Sequence, residues 1–75
     1  MGGIRNNVRD LRAALDMTQQ QLADRIDLTR QTVISIEGDK YSPSLETAFR
    51  IANVFGVPLE QVFQYHDDRK GSRKR

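Results

Sequence analysis

An all-α fold is predicted, a compact five-helix domain with a helix-turn-helix at its second and third helices, and three observations predict it. Leu22, Ala23 and Ile26 form one helical stripe, Val33 and Ile36 form another, and Leu28 bridges the short turn between them. Helix-start signals stand directly before these runs: Thr18 with Gln21 three residues on makes a capping-box pattern, and Thr29 is placed to cap the next helix. The chain has 75 residues and no cysteine, which bounds it to one small core with no disulfide framework and no thiolate metal site.

The elements follow in chain order. A first helix is expected from about Asn7 to Leu15, with Asn6 or Asn7 as its cap and Val8, Leu11 and Leu15 facing inward. Helices two and three make up the motif, and Ala23 is small where the two must approach closely. On a wheel of about 100° per residue, Thr29, Val33 and Ile36 share one side of the third helix, and Arg30, Gln31, Ile34 and Ser35 share the other. Tyr41, Ser42 and Pro43 form a loop, after which Ser44 caps a fourth helix with Leu45, Ala48, Phe49, Ala52 and Phe55 at helical spacing. Gly56 ends that helix. Pro58 opens a last short one containing Leu59, Val62 and Phe63, and Gln64 and Tyr65 then have an extended character. The domain is expected over residues 1–66, followed by a basic disordered tail over 67–75 without apolar periodicity.

Charge is a weaker guide than its placement. The net charge is +2, but up to Tyr65 there are seven basic and eight acidic residues, whereas from His66 onward there are five basic and two acidic. The body is near neutral, so a nucleic-acid partner has to be argued from where the cations sit. There is no long apolar run and no signal-peptide pattern, so a cytoplasmic protein without a membrane association is expected. Enzyme readings are poor: no glycine-rich phosphate loop and no nucleophile-base arrangement is visible. His66, the single histidine, has Asp67 and Asp68 beside it rather than at ligand spacing, so no metal site is expected. No cofactor and no small-molecule ligand is indicated.

The segments VRDLRAALDMTQQQLADRI, LTRQTVISIE and YSPSLETAFRIANVFGVPLEQVFQY together resemble the Xre family of bacterial and phage repressors, in its short single-domain, cytolysin-repressor-like type. The resemblance covers Asn6 to Tyr65. It implies a repressor-like DNA-binding domain, and a small pairing of Ile4 and Arg5 with Gln64 and Tyr65. Two positions depart from the family pattern: Asp27 stands where the turn usually has glycine, and Asp39 stands where the loop after the third helix usually has it. Aspartate tolerates a left-handed backbone better than most residues with a side chain, so the turn is expected to survive at some cost in stability.

An α-helix fits a DNA major groove, where base edges present distinct donor and acceptor patterns. At the start of the third helix Arg30 can donate two hydrogen bonds to guanine O6 and N7, and Gln31 can pair bidentately with adenine; Ile34 can meet a thymine methyl, and Ser35 either kind of edge. The bland alternative is a solvated helix face. Phosphate contacts are expected from Arg9, Gln19, Thr29, Lys40, Tyr41 and Ser44, with Gln19 at a helix N-terminus that favours anions and Lys40, Tyr41 and Ser44 in the clamp the resemblance implies. For Arg9 a solvated surface charge is an equal reading. The resemblance also implies a structural ion pair between Arg12 and Glu37, joining the first helix to the end of the third.

Two recognition helices of a dimer must lie about 34 Å apart to reach successive major grooves, so a homodimer interface is expected. It is placed on Val57, Leu59, Val62, Phe63 and Tyr65, which are more apolar than one helix of a small domain needs; closing the core is their other use. The sequence therefore points to a transcriptional repressor binding double-stranded DNA as a homodimer on a near-palindromic operator. An antitoxin-like or adaptor module that uses the same fold to bind protein is the competing class.

Overall fold

A computed structural model describes residues 3–66. The order of elements is β1 (Gly3–Asn6), α1 (Val8–Ala14), α2 (Gln19–Ile26), α3 (Arg30–Glu37), α4 (Leu45–Phe55), α5 (Leu59–Val62) and β2 (Phe63–His66). The expected tail over 67–75 lies outside the described residues. No helix among the described residues is long and apolar enough to cross a membrane.

Local chemistry accounts for the helix starts. Thr18 Oγ1 accepts from Gln21 N at 3.0 Å while Gln21 Oε1 accepts from Thr18 N at 2.8 Å, a complete capping box that satisfies two orphan donors at once. Thr29 Oγ1 accepts from Thr32 N at 3.2 Å, and Ser44 Oγ accepts from Thr47 N at 3.2 Å, which starts α3 and α4 in the same way. At α1 the neighbour of the formal cap does this work: Asn6 Oδ1 accepts from Val8 N at 3.0 Å, and the Asn7 amide instead donates to Gln61 O.

Two helices, α2 and α4, end on a residue in the left-handed region. Asp27 (φ 64°) closes α2 and Gly56 (φ 70°) closes α4, and Asp16 and Asp39 take similar values in the two remaining loops. Asp27 and Asp39 do adopt the backbone that glycine usually supplies.

The core is formed by Val8, Met17, Leu22, Ala23, Ile26, Val33, Ile36, Ile51, Ala52, Phe55 and Val62. Ala23 is fully enclosed, on the helix that packs against both α3 and α4. The termini join as an antiparallel two-stranded ribbon in which Ile4 faces Tyr65, Arg5 faces Gln64 and Asn6 faces Phe63.

Four expectations are corrected by packing. Leu15, placed inward, is 53% exposed, because α1 stops at Ala14 and the chain leaves the helical wheel there. The buried face of α4 is Ala48, Ile51, Ala52 and Phe55, so Leu45 and Phe49 fall at its edge and are 67% and 49% exposed. Phe63 lies in β2 rather than in the last helix. Val62, assigned to a dimer interface, is fully enclosed in the core of its own chain and has no exposed surface.

Candidate nucleic-acid interface

Burying Val33 and Ile36 turns the opposite side of α3 outward, which exposes Arg30, Gln31 and Ile34 and leaves Ser35 half-exposed. The face has the composition a groove reader needs: a fork of guanidinium donors, a bidentate amide, a hydroxyl and one apolar side chain on successive turns. It is flanked by two open grooves.

On one side Arg9, Arg12, Thr18, Gln19 and Arg30 line a groove beside the N-terminus of α2. On the other, Thr29, Gln31, Thr32 and Ser35 share a groove with Lys40 and Tyr41 of the loop after α3. The two sets of candidate phosphate-contacting residues therefore lie on opposite flanks of the helix that carries the candidate base readers. Ser44 lines neither groove. Its hydroxyl serves the start of α4 and lies 3.0 Å from that of Thr47.

A largely enclosed ion pair holds α3 in place. Arg12 Nε donates to Glu37 Oε2 at 2.6 Å and a second guanidinium nitrogen donates to Oε1 at 3.1 Å, a bidentate pairing that links α1 to the last residue of α3. The Glu37 side chain is 2% exposed and that of Arg12 is 15% exposed. The remaining arginine nitrogen donates to Met17 O at 2.9 Å, fixing the loop that leads into α2.

Gln19 joins this network, which its sequence position does not announce. Its amide donates to Glu37 Oε1 at 3.1 Å and accepts from Arg30 Nε at 3.4 Å, so one side chain at the start of α2 spans both ends of α3. Its side-chain groups are thus engaged within the protein, and the helix N-terminus leaves backbone N–H groups as its means of meeting an anion.

Asn6 is a further residue that sequence reasoning assigned only to capping. Its amide nitrogen donates at 2.8 Å both to Ile36 O, near the end of α3, and to Asp39 Oδ1. A cap assignment is local along the chain, whereas these partners lie some thirty residues away.

The sequence profile of the family described as helix-turn-helix matches residues 8–62, which include every helix of the fold. The chain belongs to the helix-turn-helix family. It is of the short Xre type. Helix-turn-helix relatives include an uncharacterized HTH-type transcriptional regulator of Methanocaldococcus jannaschii, 46% identical over 65 residues that cover 87% of this chain and 98% of the relative. A cryptic phage CTXphi transcriptional repressor of Vibrio cholerae is 33% identical over 57 residues, covering 76% of this chain and 51% of the relative. A crystal structure of a Bacteroides fragilis protein described as a candidate DNA-binding protein superposes with a TM-score of 0.76 at 21% identity, over 83% of this chain and all of that one, which shows the shared fold. The protein is thus a DNA-binding helix-turn-helix transcriptional regulator, and the family is not one of enzymes.

Proposed function

We propose that the protein is a repressor that occupies a near-palindromic operator as a homodimer, each protomer reading one half-site with α3. One observation carries this reading: Arg30, Gln31, Ile34 and Ser35 lie on the outward side of a helix whose two flanks present Arg9 and the start of α2 on one hand, and Lys40 and Tyr41 on the other. Base edges are read from the centre, and phosphates are met on both sides. Repression is the sign of regulation favoured by the relative named as a cryptic phage CTXphi transcriptional repressor.

The protomer contact is proposed on the apolar surface around the terminal ribbon. Ile4, Leu45, Phe49 and Tyr65 are exposed, and Ile4 and Leu45 line an apolar groove with the half-buried Leu59 and Phe63. Leu45 and Phe49 are four apart on α4 and so stand on one side of it. A second copy of this chain is the occupant that the operator geometry calls for, since one α3 reads only a half-site.

Selection of bound duplexes from a random pool tests the reading. The wild type is expected to enrich a site with two inverted halves about one helical turn apart, and Gln31→Ala is expected to lose preference at one symmetric pair of positions. No enrichment, or an unchanged motif in the variant, would count against it.

A further inference from the structure

Asn6 sits where three parts of the fold meet, and every polar group of its side chain is used. The carbonyl oxygen accepts from Val8 N at the start of α1, and the amide nitrogen divides its two hydrogens between Ile36 O and Asp39 Oδ1, each at 2.8 Å. The backbone of the same residue is paired with Phe63 in the terminal ribbon. Asp39 has φ 61°, and its own N–H donates to Ile36 O while the next N–H, that of Lys40, donates to Ser35 O at 2.9 Å. The loop carrying Lys40 and Tyr41 is therefore held from α3 by backbone bonds and from β1 by a single side chain. Ile4 of the same strand and Phe63 of β2 line a groove with Ser42 and Pro43 of that loop.

We propose that Asn6 is a positioning residue for DNA-backbone contact: through Asp39 it braces the loop after α3 against the terminal ribbon and so fixes Lys40 and Tyr41 beside the recognition face. This rests on the reading of that loop as a phosphate clamp. Aspartate at position 39 accordingly has a purpose that glycine would lack. Glycine adopts the left-handed backbone more readily but offers no acceptor to Asn6.

The test compares Asp39→Asn with Asp39→Gly. Both remove the same charge and both tolerate φ near +60°, but only asparagine keeps an oxygen for the Asn6 amide. Affinity for the duplex recovered by selection is expected to be about three- to tenfold weaker for Asp39→Gly than for Asp39→Asn, the loss of one ordinary hydrogen bond. The salt dependence should be shallower by about one phosphate per protomer, and the selected base sequence should be unchanged. In an Asn6→Ala background the difference between the two position-39 variants should shrink to the backbone contribution of glycine alone, and the part that disappears is the coupling a double-mutant cycle assigns to the direct interaction.

Amide exchange in the DNA-free protein gives a readout independent of DNA. Asp39 and Lys40 N–H groups should exchange faster in Asp39→Gly than in Asp39→Asn, by a margin that is smaller in the Asn6→Ala background, with Leu22 N–H unaltered. Equal exchange in the two variants, or faster exchange with identical affinity and salt slope, would overturn the proposal. A wild-type protein that binds no duplex would remove the clamp reading itself, and the exchange data would still report whether the brace exists.

Discussion

Glu37 illustrates how one enclosed side chain can fix the position of a helix whose opposite face lies open. Its carboxylate is enclosed and shared among Arg12 and Gln19, so truncation would strand the Arg12 guanidinium in a site with little access to water. Glu37→Ala is expected to cost about 3–5 kcal/mol of folding stability while the selected base sequence stays the same. Thermal unfolding and duplex selection on one preparation check both halves, and unchanged stability with an altered sequence preference would contradict the structural role. The pairing of Arg12 with Glu37 was legible through family resemblance, whereas the part of Gln19 was not. A glutamine at a helix start reads as capping support, and nothing in its spacing shows that its amide bridges to residues 11 and 18 positions further on.

At the scale of elements, the starts and stops of α2, α3 and α4 are written locally, and that is why they were readable. A hydroxyl that accepts from an N–H three residues on needs only the neighbouring sequence, and Thr18, Thr29 and Ser44 each do so. Thr18→Ala is expected to lower stability by about 1 kcal/mol through the loss of its cap. The turn between α2 and α3 offers the opposite change. Asp27 holds a left-handed backbone at φ 64°, so Asp27→Gly should raise stability by roughly 0.5–1 kcal/mol, the relief of the left-handed penalty less the extra freedom of glycine in the unfolded chain. Denaturant midpoints at a common slope measure both variants, and a destabilised Asp27→Gly would show that the side chain contributes more than its backbone costs. Leu15 marks the limit of periodicity at this scale. It continues the α1 stripe in sequence, but the helix ends one residue earlier, and a stripe is meaningful only while the helix lasts.

The whole molecule separates the apolar residues that close the core from those left at the surface. Val62 and Phe49 exchange their expected places: Val62 is enclosed, while Phe49 stands half in solvent beside Leu45. Val62→Ala should therefore lower stability by about 2 kcal/mol and leave association unchanged at a protein concentration where folding is complete. Phe49→Glu should leave the fold intact, shift sedimentation toward the monomer and weaken operator binding; a dimer undisturbed by Phe49→Glu would move the protomer contact elsewhere. Helix count, helix type, the location of the helix-turn-helix and the outward side of α3 all follow from short-range periodicity and caps, interactions that span a few residues and so are present in any reading of the chain. The division of α4 into a buried face centred on Ile51 and an exposed edge at Leu45 and Phe49 depends on which neighbours press against it. The brace from Asn6 to Asp39 depends in the same way on the ribbon that brings residues 3–6 against 63–66. Sequence alone determined which helices form and which face of α3 turns outward, because local hydrogen bonding and apolar spacing are short in range. Tertiary structure decided which apolar side chains are spent inside and which polar ones hold α3 in place, because burial and long-range hydrogen bonds exist only once distant segments have met.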